Sequence, residues 1–299
     1  MVKMTIHTSS YNRGYILPVL YESLRTQICK DFEWIITDDG STDNTSELVR
    51  EWQLSDNGFD IVYNFKSHEG IPYALNSGVS LAKSEWFMIV DSDDHVLPET
   101  VKKALEWIEE IKGNPKFAGI GFARCYPDGR YMKDQEPLID PAVGFVDAGN
   151  TERAKYNLDM DMVEVYRTKL LKEYPFQCWP GELFAPEQLS INAMSLDGYI
   201  IRWHADKLYI CEYLEDGLTK SDTIVKNNPM GYAMMYNQNL LIHEGFVRKF
   251  QDAAQMTALS LYSGNKNYLK QTNSKFYTML SYPVGVLLSK RRKRQFDNI

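Results

Sequence analysis

The sequence predicts an α/β fold built on a mostly parallel sheet flanked by helices, and three observations carry that expectation. Strand-like apolar runs alternate with helical patterns through the first half, at the spacing of βαβ units. Hydrophobic residues make up 44% of the 299, enough to bury a sizeable core. Three strand runs stop in unusually polar segments, Thr8–Arg13, Asp38–Asp43 and Asp91–Asp94, and open parallel sheets hold ligands outside the carboxyl ends of their strands.

Each element follows from a local pattern. Met4–Thr8 is a β-rich start. Tyr15–Ile28 places Leu17, Leu20, Leu24 and Ile28 at helical spacing. Phe32–Thr37 is a buried-strand run ending in the polar stretch 38–46, where Asn44 and Glu47 have the spacing of a capping box for the next helix. Phe59–Phe65 reads as strand, Ile71–Ala82 as helix, and Trp86–Val90 as a strand running into Asp91. Pro98 opens a helix with Val101, Ala104, Leu105, Ile108 and Ile111 on one stripe, and Phe117–Ala123 is another strand. The middle, about 125 to 225, is less regular, with short strands at Met162–Thr168, Ile200–His204 and Tyr209–Leu214 and a helix from Pro186. From about Asn228 the chain turns helical, one face carrying Met230, Ala233, Met234, Leu240 and Leu241 and another Val247, Phe250, Ala254 and Ala258.

Charge narrows the function. Lys and Arg number 33 against 40 Asp and Glu, a net charge of −7, which makes the chain a poor general nucleic-acid binder. Any phosphate-bearing substrate needs a local device. The N-terminus lacks the apolar run of a secretory signal, no stretch reaches transmembrane length, and Cys29, Cys125, Cys178 and Cys211 form no CxxC pair. The expectation is a cytoplasmic protein with reduced cysteines. No GxGxxG follows the first strand, which argues against a dehydrogenase.

The strand ends carry the chemistry. Asp91-Ser92-Asp93-Asp94 sets three carboxylates directly after an apolar strand, a costly arrangement unless something cationic neutralises it. Hard oxygens in a small cluster suit Mg2+ or Mn2+, with substrate phosphates completing the shell. A solvated acidic turn is the plainer alternative. The pair Asp38-Asp39 before Gly40 exceeds what a helix cap requires, and a carboxylate there suits a nucleobase N–H or a ribose hydroxyl. Thr8, Ser10, Tyr11 and Arg13 offer hydroxyls, an aromatic face and a guanidinium for a nucleotide and its phosphates.

TSSYNR (8–13), TDDGSTDNT (37–45), ALNSG (74–78), VDSDD (90–94) and YLEDGLTKS (213–221), in this order and spacing, resemble the inverting family 2 glycosyltransferases of bacterial capsular and surface polysaccharide synthesis, over roughly residues 1 to 225. The resemblance implies the glycosyltransferase A fold, a Rossmann-like, mostly parallel sheet. It implies a catalytic domain at 1–225, with a nucleotide-sugar half at 1–125 and an acceptor half at 126–225, followed by a helical extension at 226–299 that ends in a basic tail. The 8–13 loop corresponds to the uridine and phosphate cradle, and Asp39 to the partner of the uracil. Asp91 and Asp93 correspond to the DxD that contacts ribose and metal, with Ser92 on the nucleotide side and Asp94 as an adjoining ligand. The resemblance does not fix which of the three carboxylates binds the metal directly. Many relatives carry a Lys before ALN; here 68–73 reads HEGIPY, leaving His68 or Arg13 as stand-ins.

An inverting transfer needs a carboxylate to take the acceptor's proton. Family members place it at the start of a helix after an irregular loop, which points to Glu187, behind Pro186, with Glu182 as the alternative. His204 follows an apolar strand and could reach the diphosphate or metal, or be an ordinary core histidine. The implied reaction moves a sugar from a nucleotide sugar, a UDP-sugar by resemblance, to a glycan or lipid-linked acceptor. A non-catalytic glycan-binding module and a sugar nucleotidyltransferase are the other readings. At the C-terminus, apolar residues from Tyr277 to Leu288 precede the run Lys290–Arg294, five cations. That pattern suits peripheral docking at the inner face of an anionic membrane, or else a packed last helix with a solvated end.

Overall fold

The computed structural model describes residues 2–211 and 223–296; the motif YLEDGLTKS at 213–221 lies outside the described residues. The chain divides into two compact units, Met1–Pro175 with Ser190–Leu214, and Phe176–Leu189 with Glu215–Ile299.

The first unit alternates as its sequence predicts: β1 (Met4–Ser10), α1 (Leu17–Arg25), β2 (Phe32–Asp38), α2 (Thr45–Gln53), β3 (Asp60–Phe65), α3 (Ile71–Leu81), β4 (Trp86–Ile89), β5 (His95–Val96), α4 (Thr100–Ile111) and β6 (Phe117–Cys125). There follow β7 (Phe145–Ala148), β8 (Met162–Arg167), α5 (Thr168–Glu173), α6 (Gln188–Leu196) and β9 (Ile200–Ile210). The sheet runs β3-β2-β1-β4-β8-β6-β9-β5, with β7 also on β9.

The parallel character holds where βαβ patterns are regular, with β1 parallel to β2 and β4, and β2 to β3. Beyond β4 the sheet is mixed, because β8 inserts antiparallel between β4 and β6 while β6 and β9 pair in parallel. The two strands expected at 200–204 and 209–214 are one strand through Ile210. The strand runs on through Ala205, Asp206 and Lys207, with register shifts against β6. The expected capping box at α2 does not form: Asn44 makes no side-chain cap, and Asp43 Oδ1 instead accepts from the Thr45 amide (3.1 Å) and hydroxyl (2.6 Å).

His7 explains a motif glycine. Its ring is fully buried on β1, accepts or donates at Nε2 to Thr37 Oγ1 at 3.0 Å, and is kept neutral by burial, its pKa pushed down to about 3. A Cβ on Gly78 of α3 would sit 2.0 Å from His7 Cδ2 and 2.2 Å from Nε2. Gly78 is therefore required by the close approach of α3 to β1.

The second unit contains α7 (Ile224–Asn227), α8 (Pro229–Ile242), α9 (Phe246–Tyr262), α10 (Tyr268–Gln271) and α11 (Lys275–Phe296). Leu240, Ala253, Met256 and Tyr268 form its core cluster. The expected apolar faces are only partly the buried ones: Ala233, Leu240, Ala254 and Ala258 are buried, whereas Leu241 and Val247 are exposed. Small residues dominate the buried side, and α11 turns Thr278, Ser281 and Gly285 inward.

Gly78→Ala is expected to lower stability by about 1–3 kcal/mol through overpacking. Denaturant midpoints check this, and combining it with His7→Ala should cost less than the sum of the two single changes. Strict additivity would show that the His7 ring is not what the glycine accommodates.

Candidate functional site

Parallel register brings the polar strand ends to one edge. Ser10 on β1 faces Asp38 on β2, and His7 faces Ile89 on β4, so the segments following all three strands share the carboxyl edge. The strand order reverses between β1 and β4, the usual place for a ligand crevice.

The first two loops are latched together. The Asn12 amide, in left-handed backbone at φ 54, donates to Ser41 Oγ at 2.8 Å, and Asn12 Oδ1 accepts from the Thr42 amide at 2.7 Å. The Gly14 amide donates to Asp43 Oδ2 at 2.9 Å. Thr8 corrects the expected cradle. It is fully buried on β1, and its hydroxyl accepts from Trp34 Nε1 at 3.0 Å, so it serves the core. Ser10 stands differently: its hydroxyl is buried with no hydrogen-bond partner among the described residues. Arg13 donates to the Tyr15 hydroxyl at 2.6 Å.

The aspartate pair splits by role. Asp38 is buried and braces its own loop, accepting from the Ser41 amide at 2.7 Å and the Tyr63 hydroxyl at 2.5 Å. Asp39 reaches the stretch before ALN. Its Oδ1 accepts from the Glu69 amide at 2.9 Å, and its Oδ2 from the Gly70 amide at 2.8 Å and pairs with His68 Nδ1 at 2.8 Å. The His68 ring then stacks on Tyr11, centroids 3.9 Å apart. Asp39, Tyr11 and His68 thus form one connected group with an exposed tyrosine ring.

The acidic loop after β4 is held by a residue that sequence reasoning passed over. Arg124, near the end of β6, places Nη1 2.7 Å from Asp91 Oδ2 and 3.4 Å from Asp94 Oδ2. Its guanidinium lies over the Tyr209 ring at 4.5 Å, and the Tyr209 hydroxyl accepts from the Asp91 amide at 3.0 Å. A lone cation closing the apolar run of β6 was the available signal. Even so, positive charge is short: burial first, then the charge of Asp91, push the Asp94 carboxyl up to about 8 against the pull of Arg124. Carboxylate oxygens bind a divalent cation only when ionised, so a cation placed beside them would displace the Asp94 proton and supply the missing positive charge. Ser92 is buried and Asp93 half-buried in the same loop.

The other expected residues have surroundings of their own. His204 is buried in β9 and stacked on Trp107 at 3.9 Å, and burial lowers its pKa to about 4. Among the described residues no three His, Cys, Asp or Glu side chains group as ligands, so His204 does not join Asp93 and Asp94 in such a set. In the second unit, Glu182 is buried with both oxygens engaged, Oε1 by the Met230 amide at 2.6 Å and Oε2 by the Gly231 amide at 2.9 Å. It caps the N-terminus of α8. Glu187 immediately precedes α6, which begins at Gln188, two residues after Pro186.

The chain is similar to known proteins. A family model described as Glycosyl transferase family 2 matches residues 5–174. The GalNAc(5)-diNAcBac-PP-undecaprenol beta-1,3-glucosyltransferase of Campylobacter jejuni is 29% identical over 125 residues, 42% of this chain and 38% of that enzyme. The poly(ribitol-phosphate) beta-N-acetylglucosaminyltransferase TarS of Staphylococcus aureus is 28% identical over 233 residues, 75% of this chain and 38% of TarS. The matches therefore span less than half the length of either relative. The crystal structure of S. aureus TarS 1–349 in complex with UDP-GlcNAc superposes with a TM-score of 0.65 at 18% identity, covering 96% of this chain and 81% of that one. The mannosyltransferase PcManGT from Pyrobaculum calidifontis, in complex with GDP-Man and Mn2+, gives 0.56 at 13% identity, covering 95% and 87%. At such identities these structures speak for the fold alone.

The Asp94 carboxyl sets a pH dependence. Its folded pKa of about 8 lies above the unfolded value of about 4. Below about 4 both states are protonated and nothing is lost. Between about 4 and 8 the unfolded chain ionises first, so folding stability falls as pH rises. Asp94→Asn removes this penalty, and its melting temperature should gain on the parent's progressively across that window. A difference independent of pH would show that Asp94 is ionised in the folded protein.

Proposed function

The chain belongs to glycosyl transferase family 2, and from that premise we propose that it moves a sugar from a UDP-sugar to a glycan or lipid-linked acceptor, with inversion, in bacterial surface polysaccharide synthesis. It is a glycosyltransferase of the glycosyltransferase A fold. The binding-module and nucleotidyltransferase readings give way to that membership. The observation carrying the proposal is the acidic loop Asp91–Asp94, set at the carboxyl end of β4 beside the ends of β1 and β2. UDP-GlcNAc in the TarS complex supports the donor class. The PP-undecaprenol in the name of the C. jejuni relative supports a lipid-linked acceptor.

In this reading the exposed Tyr11 ring stacks on the uracil. Asp39 Oδ1, which holds one backbone donor, keeps a second lone pair for the uracil N–H. The unpartnered Ser10 hydroxyl and the Arg13 guanidinium face the ribose and diphosphate. Asp91 and Ser92 contact the ribose side. Asp93, with Asp91 and Asp94 adjoining, would hold a Mg2+ or Mn2+ ion, which when bound stabilises charge on the leaving diphosphate. Arg124 and Tyr209 fix the Asp91 and Asp94 carboxylates in place.

The transfer is a single displacement. The acceptor oxygen forms its bond to the anomeric carbon as the bond to the phosphate oxygen breaks, and the electron pair leaves with UDP. Glu187 takes the acceptor's proton. Glu182 is the poorer base because both of its oxygens already cap α8. We read residues 1–125 as the nucleotide-sugar half, 126–225 as the acceptor half containing Glu187, and 226–299 as the extension.

Glu187→Gln should retain UDP-sugar binding by calorimetry while transfer falls by about 10²–10⁴-fold. Asp93→Ala should lose metal-dependent turnover. Undiminished transfer by the first variant moves the base elsewhere, and undiminished turnover by the second removes Asp93 as a ligand.

A further inference from the structure

Helix α11 is inside out. It buries Thr278, Ser281 and Gly285, while Phe276, Met279 and Leu287 stand 64%, 69% and 67% exposed. The small residues are what the packing requires: a Cβ on Gly285 would sit 2.7 Å from Thr257 Cβ on α9. Arg292 also turns toward α9, donating to Gln255 Oε1 at 2.5 Å. The opposite side is continuous. Phe276, Leu280, Val284, Leu287, Lys290 and Arg294 follow one another at steps of three or four residues, with Arg291 beside Lys290, and all are exposed, so they share one face. Phe246, exposed at the start of α9, lies 5.6 Å from Tyr277 and widens the apolar end. At the other end Leu287, Lys290, Arg291, Arg294 and Gln295 line a depression of about 320 Å³.

We propose that this face of α11 docks on an anionic phospholipid bilayer, its apolar residues entering the interface and its cations meeting lipid phosphates. Close packing through small residues with bulky apolar residues turned outward suits a lipid-facing helix. No helix among the described residues is long and apolar enough to cross a membrane. The apolar stretch from Phe276 to Leu288 is about 20 Å long, short of a hydrocarbon core of about 30 Å, so the helix lies at the surface. Charge selects the occupant. The whole chain carries −7, yet this face ends in cations, complementary to anionic headgroups. A second copy fits poorly, since parallel pairing opposes like cations and antiparallel pairing sets them against Phe276 and Met279.

The full chain is sedimented with vesicles of phosphatidylcholine alone and of phosphatidylcholine mixed with phosphatidylglycerol. Two variants are compared, the charge reversal Lys290→Glu/Arg291→Glu/Arg294→Glu and the apolar change Leu280→Ser/Leu287→Ser, with melting temperature as the fold control and light scattering for oligomeric state. The parent should prefer the anionic vesicles. Each cation contributes about fivefold, so losing three should weaken binding on the order of a hundredfold and the charge reversal by at least that much, at an unchanged melting temperature. The apolar change should also release the chain. Equal binding to both vesicles, undiminished binding by either variant, or a parent dimer that the apolar change dissociates without any vesicle binding would overturn the proposal; the last would assign the face to a second copy.

Discussion

Negative charge gathered at the carboxyl edge of β1, β2 and β4 is the constraint around which the site is built. Buried carboxylates destabilise a fold unless donors or cations meet them. Asp38 is met by a backbone amide and the Tyr63 hydroxyl, and Asp39 by two amides and His68. Asp91 and Asp94 are met by Arg124 and Tyr209, from two strands distant in sequence. Each compensation also fixes a loop. Asp38 shapes the turn that follows it, Asp39 pins 68–70, and Arg124 with Tyr209 clamps the loop after β4. Compensation stops short at Asp94, which keeps its proton up to about 8. That residual deficit is of positive charge, and in the proposed function a divalent cation would meet it.

The motifs that mark the family mix chemistry with mechanics. In TSSYNR, Thr8 accepts from Trp34 and Asn12 latches the neighbouring loop, whereas the buried Ser10 hydroxyl has no partner among the described residues and the Tyr11 ring stays exposed. In TDDGSTDNT, Asp43 holds the Thr45 and Gly14 amides. In ALNSG, Gly78 yields space to His7. Arg124, by contrast, belongs to none of these motifs and does as much for the acidic loop as any residue within it. A motif records a spacing along the chain, and these roles are set by neighbours across the sheet.

The net charge of −7 describes no single surface. Much of the acidity is gathered at the loops after β2 and β4, while the cations of 290–294 close a helix whose large apolar residues are turned outward. The sequence leaves open whether that helix packs or meets a membrane. In the structure its small side packs on α9 and its bulky side remains uncovered among the described residues.

The sequence by itself determined the alternation of strands and helices, the three polar strand ends and the helix start behind Pro186, because periodicity, turn chemistry and proline act over a few residues. It also identified the loops from which a donor site could be built. Only the tertiary structure decided which members of those loops are tied to the core and which keep unused hydrogen-bonding capacity. Thr8 and Ser10 differ by two positions and both bear hydroxyls, yet the Trp34 N–H reaches only the first. Sequence prefers Glu187 to Glu182 as base from its place at a helix start, and only the fold shows that the start of α8 engages both oxygens of Glu182. Arg124 shows in sequence only as a lone cation ending an apolar run, and its role is hidden there, since its partners lie about 30 and 85 residues away and meet it only through the pairing of β6 with β8 and β9. Local preference acts along the chain, whereas charge compensation acts through space, and only the closed sheet brings those charges together.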